Sequence, residues 1–179
     1  MKGIKRRILD LKTVCFLLVI VIGISCDSDN NTVLIVKDFS IGIDKSGNLT
    51  SLRNEKNNRE YLATGVNSPL LTLVLIDSTK ILPQKMVNTN KGIFTLYYEG
   101  EINVDLTYRE KESYLKFEVV DGQNIDNVAG IIWGAYHITI DETIGELVGV
   151  VRGSEFAIGI QALNHQTTDI PQPPSLNHI

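Results

Sequence analysis

Thiols are nearly absent from this sequence. Of its 179 residues two are cysteine, Cys15 and Cys26, and both precede residue 27. The remainder can therefore hold no internal disulfide, no cysteine zinc site and no cysteine nucleophile. Histidine is scarce too, with His137, His165 and His178 scattered, and no His/Asp/Glu spacing suits a metal. Neither a metal nor a cofactor is expected. No Gly-x-Ser-x-Gly elbow, P-loop or dinucleotide fingerprint occurs. Basic clusters are missing beyond the start. Residues 1–25 hold Lys2, Lys5, Arg6, Arg7 and Lys12 against Asp10, which leaves 12 basic and 20 acidic side chains, a net of −8, for residues 26–179. Such a body does not neutralise phosphates, which argues against a nucleic-acid partner. The one long apolar run, Val14–Ile24, is too short to cross roughly 30 Å of hydrocarbon comfortably.

What is present begins with an address. A basic start, that apolar run and the small Ser25 before Cys26 describe a secretory signal peptide over residues 1–25. Ser25-Cys26 resembles the lipobox of bacterial lipoproteins, in which the cysteine is acylated and becomes the new N-terminus. Gly23 departs from the leucine preferred there. Residues 26–32 then form a polar, acidic tether, Asp27-Ser-Asp-Asn-Asn-Thr32. The resemblance implies a chain anchored by lipid at Cys26 to the cell envelope, at the outer membrane or facing the periplasm. Several acyl chains at ~0.8 kcal/mol per buried CH₂ would make that attachment durable. A plain cleaved signal and an uncleaved anchor are the alternatives.

Residues 33–166 read as strands throughout. Phe39, Ile41 and Ile43 alternate with polar or small neighbours, and Lys45-Ser-Gly-Asn48 supplies a hairpin turn before Leu49–Leu52. Asn54–Arg59 is a polar loop, and Leu70–Ile76 is apolar on both faces, as a central strand is. Phe94, Leu96 and Tyr98, then Ile102, Val104, Leu106 and Tyr108, then Leu115, Phe117 and Val119 make three hairpin-linked strands with one wet face. Phe94, Leu96, Leu106, Leu115 and Phe117 are expected in the core. Residues 130–140 and 147–163 add two or three strands, turning at Arg152-Gly-Ser154. Roughly ten strands with turns every 8–12 residues or so predict an all-β antiparallel β-sandwich. Residues 167–179, with Pro171, Pro173 and Pro174, read as a stiff tail or a truncated linker.

Phe39-Ser-Ile-Gly-Ile-Asp-Lys-Ser-Gly-Asn-Leu-Thr-Ser-Leu-Arg53, Arg59-Glu-Tyr-Leu62 and Ser68-Pro-Leu-Leu-Thr-Leu73 together resemble the opening of the galactose-mutarotase-like β-supersandwich. Thr143–Arg152 with Phe156–Asn164 resembles its later strands, so the likeness covers about residues 32–165. It implies the N-terminal domain of a bacterial glycoside hydrolase or other polysaccharide-active enzyme, where a separate catalytic domain does the chemistry. Mutarotases themselves use a histidine pair and a glutamate; here His137 and Glu142 lack a second histidine in a matching motif.

The expected function is therefore binding of a poly- or oligosaccharide, without catalytic residues of its own. Trp133-Gly-Ala-Tyr-His137 is the candidate site. Sugar C–H faces stack on aromatic planes while imidazoles and amides bond the hydroxyls, so Trp133, Tyr136 and His137 are the candidate contacts, with Asn164 a supplement. The competing reading places Trp133 in the core, its glycines serving tight bends. Two other functional readings stand beside this one. The chain is an N-terminal fragment of a glycoside hydrolase whose catalytic partner domain is missing, or it is a structural surface lipoprotein.

Overall fold

A computed structural model describes residues 31–89, 92–144 and 149–164. The signal peptide, Cys26, most of the tether, His165, His178 and the proline-rich tail lie outside these residues. The described chain is all-β and antiparallel, a sandwich-like arrangement of short sheets. Strands β1 (Thr32–Val36), β2 (Phe39–Ile43), β3 (Leu49–Asn54) and β4 (Arg59–Glu60) form the first sheet in that order. Its central turn follows from local chemistry. The Asp44 carboxylate accepts from the Ser46 and Asn48 amides at 2.8 and 2.9 Å, an Asx-type closure that fixes the bend. Gly47 sits at φ +82°, and a Cβ there would lie 2.8 Å from Leu96 Cδ2. Both the dihedral and the close approach demand glycine.

A second sheet holds β8 (Ile93–Tyr97), β9 (Asn103–Glu110) and β10 (Leu115–Gln123) as the three-stranded meander that the alternation predicts, with β7 (Lys85–Asn88), which the pattern does not mark, added beside β8. Phe94 pairs with Leu106 and Leu96 with Val104, and all four are buried. A third sheet places β5 (Leu71–Leu75) between β6 (Lys80–Ile81) and β11 (Val128–Trp133), the central position expected for an apolar strand. Leu34, Ile43 and Leu52 of the first sheet, Phe94, Leu96 and Leu106 of the second, and Leu71 and Leu73 of the third share one core cluster. Each such side chain contributes about 1.5–3 kcal/mol on burial. The Tyr98 hydroxyl links two sheets by donating to the Leu71 carbonyl at 3.0 Å. Desolvation pushes its pKa above the usual phenol range.

Three details depart from the sequence reading. Leu115 and Phe117 are half-buried and pack against the margin of the core, on β10, which among the described residues pairs with β9 alone. The register also slips between Val119 and Asp121, which leaves Val119 and Val120 exposed. The strand expected over 130–140 ends at Trp133, where Gly134 takes φ +76°. The additional strands β4, β6 and β12 (Thr143–Ile144) are two residues long, too short to show a period. With β13 (Val150–Arg152) and β14 (Ala157–Gly159), β12 forms a small sheet, and Gly153–Phe156 closes its β13–β14 turn as expected. Phe156 anchors that hairpin by stacking on Tyr61 at 4.7 Å.

Candidate functional site

The segment after β11 is fastened to the strand-free stretch 61–70. Gly134 turns the chain, and a Cβ there would stand 2.8 Å from the Tyr136 ring. That packing lets the Tyr136 hydroxyl donate to the Leu70 carbonyl at 3.0 Å. Burial raises its pKa above the usual phenol range. The His137 amide donates to Ser68 Oγ at 3.3 Å, and its carbonyl accepts from the Ala63 amide at 2.8 Å. An isolated bridge between Leu62 and Ile138 continues the seam.

The candidate residues take different sides of this seam. Trp133 pairs with Leu71, so its side chain shares the inner face with a fully buried leucine. It is half-buried, and its ring meets Phe117 of the second sheet at 6.2 Å and 39°. Tyr136 is half-buried as well, its hydroxyl committed to backbone, whereas His137 is exposed. Asn164 is exposed beyond β14. The segment thus offers an imidazole outward and two rings inward.

On the other face of the third sheet lies a groove of about 230 Å³. Thr72 pairs with Ile132 and Val74 with Lys80, so these residues alternate away from Leu71 and Leu73. Pro69, Leu82 and Ile132 form an apolar floor, and Asn67, Thr72 and Lys80 bring polar groups to it. Gly134 and Ala135 make one rim, so the 133–137 segment borders this groove through its backbone. The groove does not show in the sequence, because Leu70–Ile76 reads as apolar on both faces; Thr72 alone breaks the run.

Carboxylates elsewhere are largely structural. Glu142, the potential partner of His137, lines a separate recess of about 40 Å³ with Arg59, Tyr61 and Glu155, room for water and little more. Burial pushes the Glu60 carboxyl up, but hydrogen bonds from the Ser51 hydroxyl and the Leu52, Leu62 and Tyr61 amides hold it below the usual range. Glu55 is lowered by the Ser40 hydroxyl and by Arg53. Among the described residues no group of three or more His, Cys, Asp and Glu side chains could hold a metal ion. Comparison with protein-family models, with curated proteins and with solved structures finds no match, so the chain is placed by its own geometry, as an all-β antiparallel, sandwich-like domain.

Proposed function

We propose that this chain is a lipid-anchored, extracytoplasmic accessory domain that binds poly- or oligosaccharide and leaves catalysis to another domain. The observation that carries the reading is the groove on the outer face of the third sheet. Pro69, Leu82 and Ile132 present an aliphatic floor to a sugar's C–H face, and Asn67 and Lys80 reach its hydroxyls. A concave apolar surface with a few convergent polar groups is the usual form of a small-ligand site. His137, exposed just past the groove's rim, extends the contact. In this reading Trp133 and Tyr136 support the floor from beneath, and the residues resembling galactose-mutarotase-like domains supply the ligand class. The anchor at Cys26 completes the proposal.

A few hydroxyl hydrogen bonds at ~0.5–1.5 kcal/mol each give affinity on the order of millimolar. A glycan array followed by calorimetry on the full chain tests this. The expected result is a sugar-dependent signal that Ile132→Asp abolishes and Lys80→Ala weakens, with both variants folded. No binding to any glycan, or binding unchanged in both variants, would refute it.

A further inference from the structure

Among the described residues β11 has one strand partner, β5, and its other edge carries none. Parity settles which backbone groups face that edge. The Leu75 amide donates to the Thr79 carbonyl at 2.8 Å, and the Leu75 carbonyl accepts from the Ser78 amide at 2.9 Å. Leu75 therefore turns its polar groups toward the β6 side. Alternate residues of a strand turn opposite ways, so Thr72 and Val74 turn toward β11, where they pair with Ile132 and Gly130. The amides and carbonyls of Ile131 and Trp133 are left pointing at the open edge. The Leu71 carbonyl, which accepts from the Tyr98 hydroxyl and not from β11, fits the same parity.

This edge lacks the usual protection. Val128-Ala-Gly-Ile-Ile-Trp133 contains no charge and no proline, the devices that keep strand edges from pairing with other chains. Ile131 and Ile132 are 40% and 38% exposed. Evenly spaced amides and carbonyls are answered by an extended strand and by little else.

We propose that the free edge of β11 pairs with the same edge of a second copy of this chain, antiparallel and two-fold symmetric about Ile131. The register is self-complementary. With Ile131 opposite Ile131, Gly130 of each strand faces Ile132 of the other, and Gly130 has open space where a side chain would stand. The outward-pointing amide and carbonyl of Ile131 then bond reciprocally across the axis. A body of net −8 meets its copy at an uncharged strand, where like-charge repulsion is least. The three-stranded sheet becomes six-stranded, and the exposed side of Ile131 is covered. An isologous pair of this kind is the commonest closed assembly.

The test uses the full chain in detergent, by density-matched sedimentation equilibrium from low to several hundred micromolar. The expected result is a concentration-dependent doubling of mass. Ile131→Pro removes an amide that points away from β5 and trims a side chain that shares the inner face with Leu73, so it should be less stable but monomeric. Ile131→Lys, at a side chain 40% exposed, should stay folded and monomeric. A parent chain that is monomeric throughout overturns the proposal, as does a folded Ile131→Lys variant that still doubles its mass. Hydrogen exchange on the parent decides the matter without any variant. Slowing of the Ile131 and Trp133 amides with concentration supports the pairing; exchange that is independent of concentration refutes it.

Discussion

Residues 34–106 supply every buried hydrophobic side chain of the described structure except Ile140, alongside exposed ones such as Ile35, Val66 and Ile76, whereas further along Val119, Val120, Ile125, Ile131, Ile132, Val150 and Ile160 stand exposed with almost nothing buried beside them. Both regions have strands with apolar positions, so pattern alone does not separate them. The difference is what lies opposite. Strands β2, β3, β5, β8 and β9 each have a neighbour on both sides, and their inner faces meet in one cluster. Strands β10 and β11 carry no fully buried residue, although the edge strands β1 and β7 bury Leu34, Val36 and Met86, and β12–β14 are two or three residues long. Alternation tells which face a strand offers to a core, and burial follows only where another layer covers it.

The contrast can be broken by substitution. Leu106, fully buried between Phe94 and the rest of the cluster, should not tolerate Leu106→Asp. An unpaired charge there costs more than about 4 kcal/mol, and circular dichroism should show loss of the sheet signal. Phe94→Ala, at a site with no exposure, should cost about 3–5 kcal/mol in urea unfolding. Phe117→Ala, on the edge strand, should cost roughly half as much. Equal costs at the two phenylalanines would erase the distinction between the regions.

A third prediction sharpens the first region. Glu60 ties β3 to the 60–62 turn through four hydrogen bonds, and its folded pKa lies below the ordinary value. A depressed carboxyl stabilises the fold above its unfolded pKa, and that contribution is lost as pH falls through the carboxylate range. Melting temperature should therefore decline on acidification, and Glu60→Gln should make the decline shallower while lowering stability near neutrality. The smallest effect belongs to the far region. Val150→Thr, at a third-exposed site in β13, should change stability by less than about 0.5 kcal/mol.

Much of the first region was legible. The turn at Lys45–Asn48, the central strand after Pro69 and the inner faces of β8 and β9 follow from turn chemistry and period-2 alternation, both local properties. The fate of Leu115 and Phe117 did not follow, because how much of β10 another layer covers is set by long-range packing, which no local pattern encodes. The candidate site divided in the same way. The glycine-flanked segment Trp133–His137 stood out by composition. Which way each ring points depended on the register of β11 against β5 and on the bond from Tyr136 to Leu70, and those are long-range. The groove itself joins residues 67–82 to 132–135, a juxtaposition that exists only after β5 and β11 pair.

Native-state hydrogen exchange tests the central claim, that stability is concentrated in the early strands, most directly. Amides inside the β8–β9 pairing, at Leu96 and Leu106, should exchange only through global unfolding, and those of Val151 and Ile158 in the β13–β14 hairpin should open at a much smaller free energy. Equal protection in the two places, with the same denaturant dependence, would contradict the account.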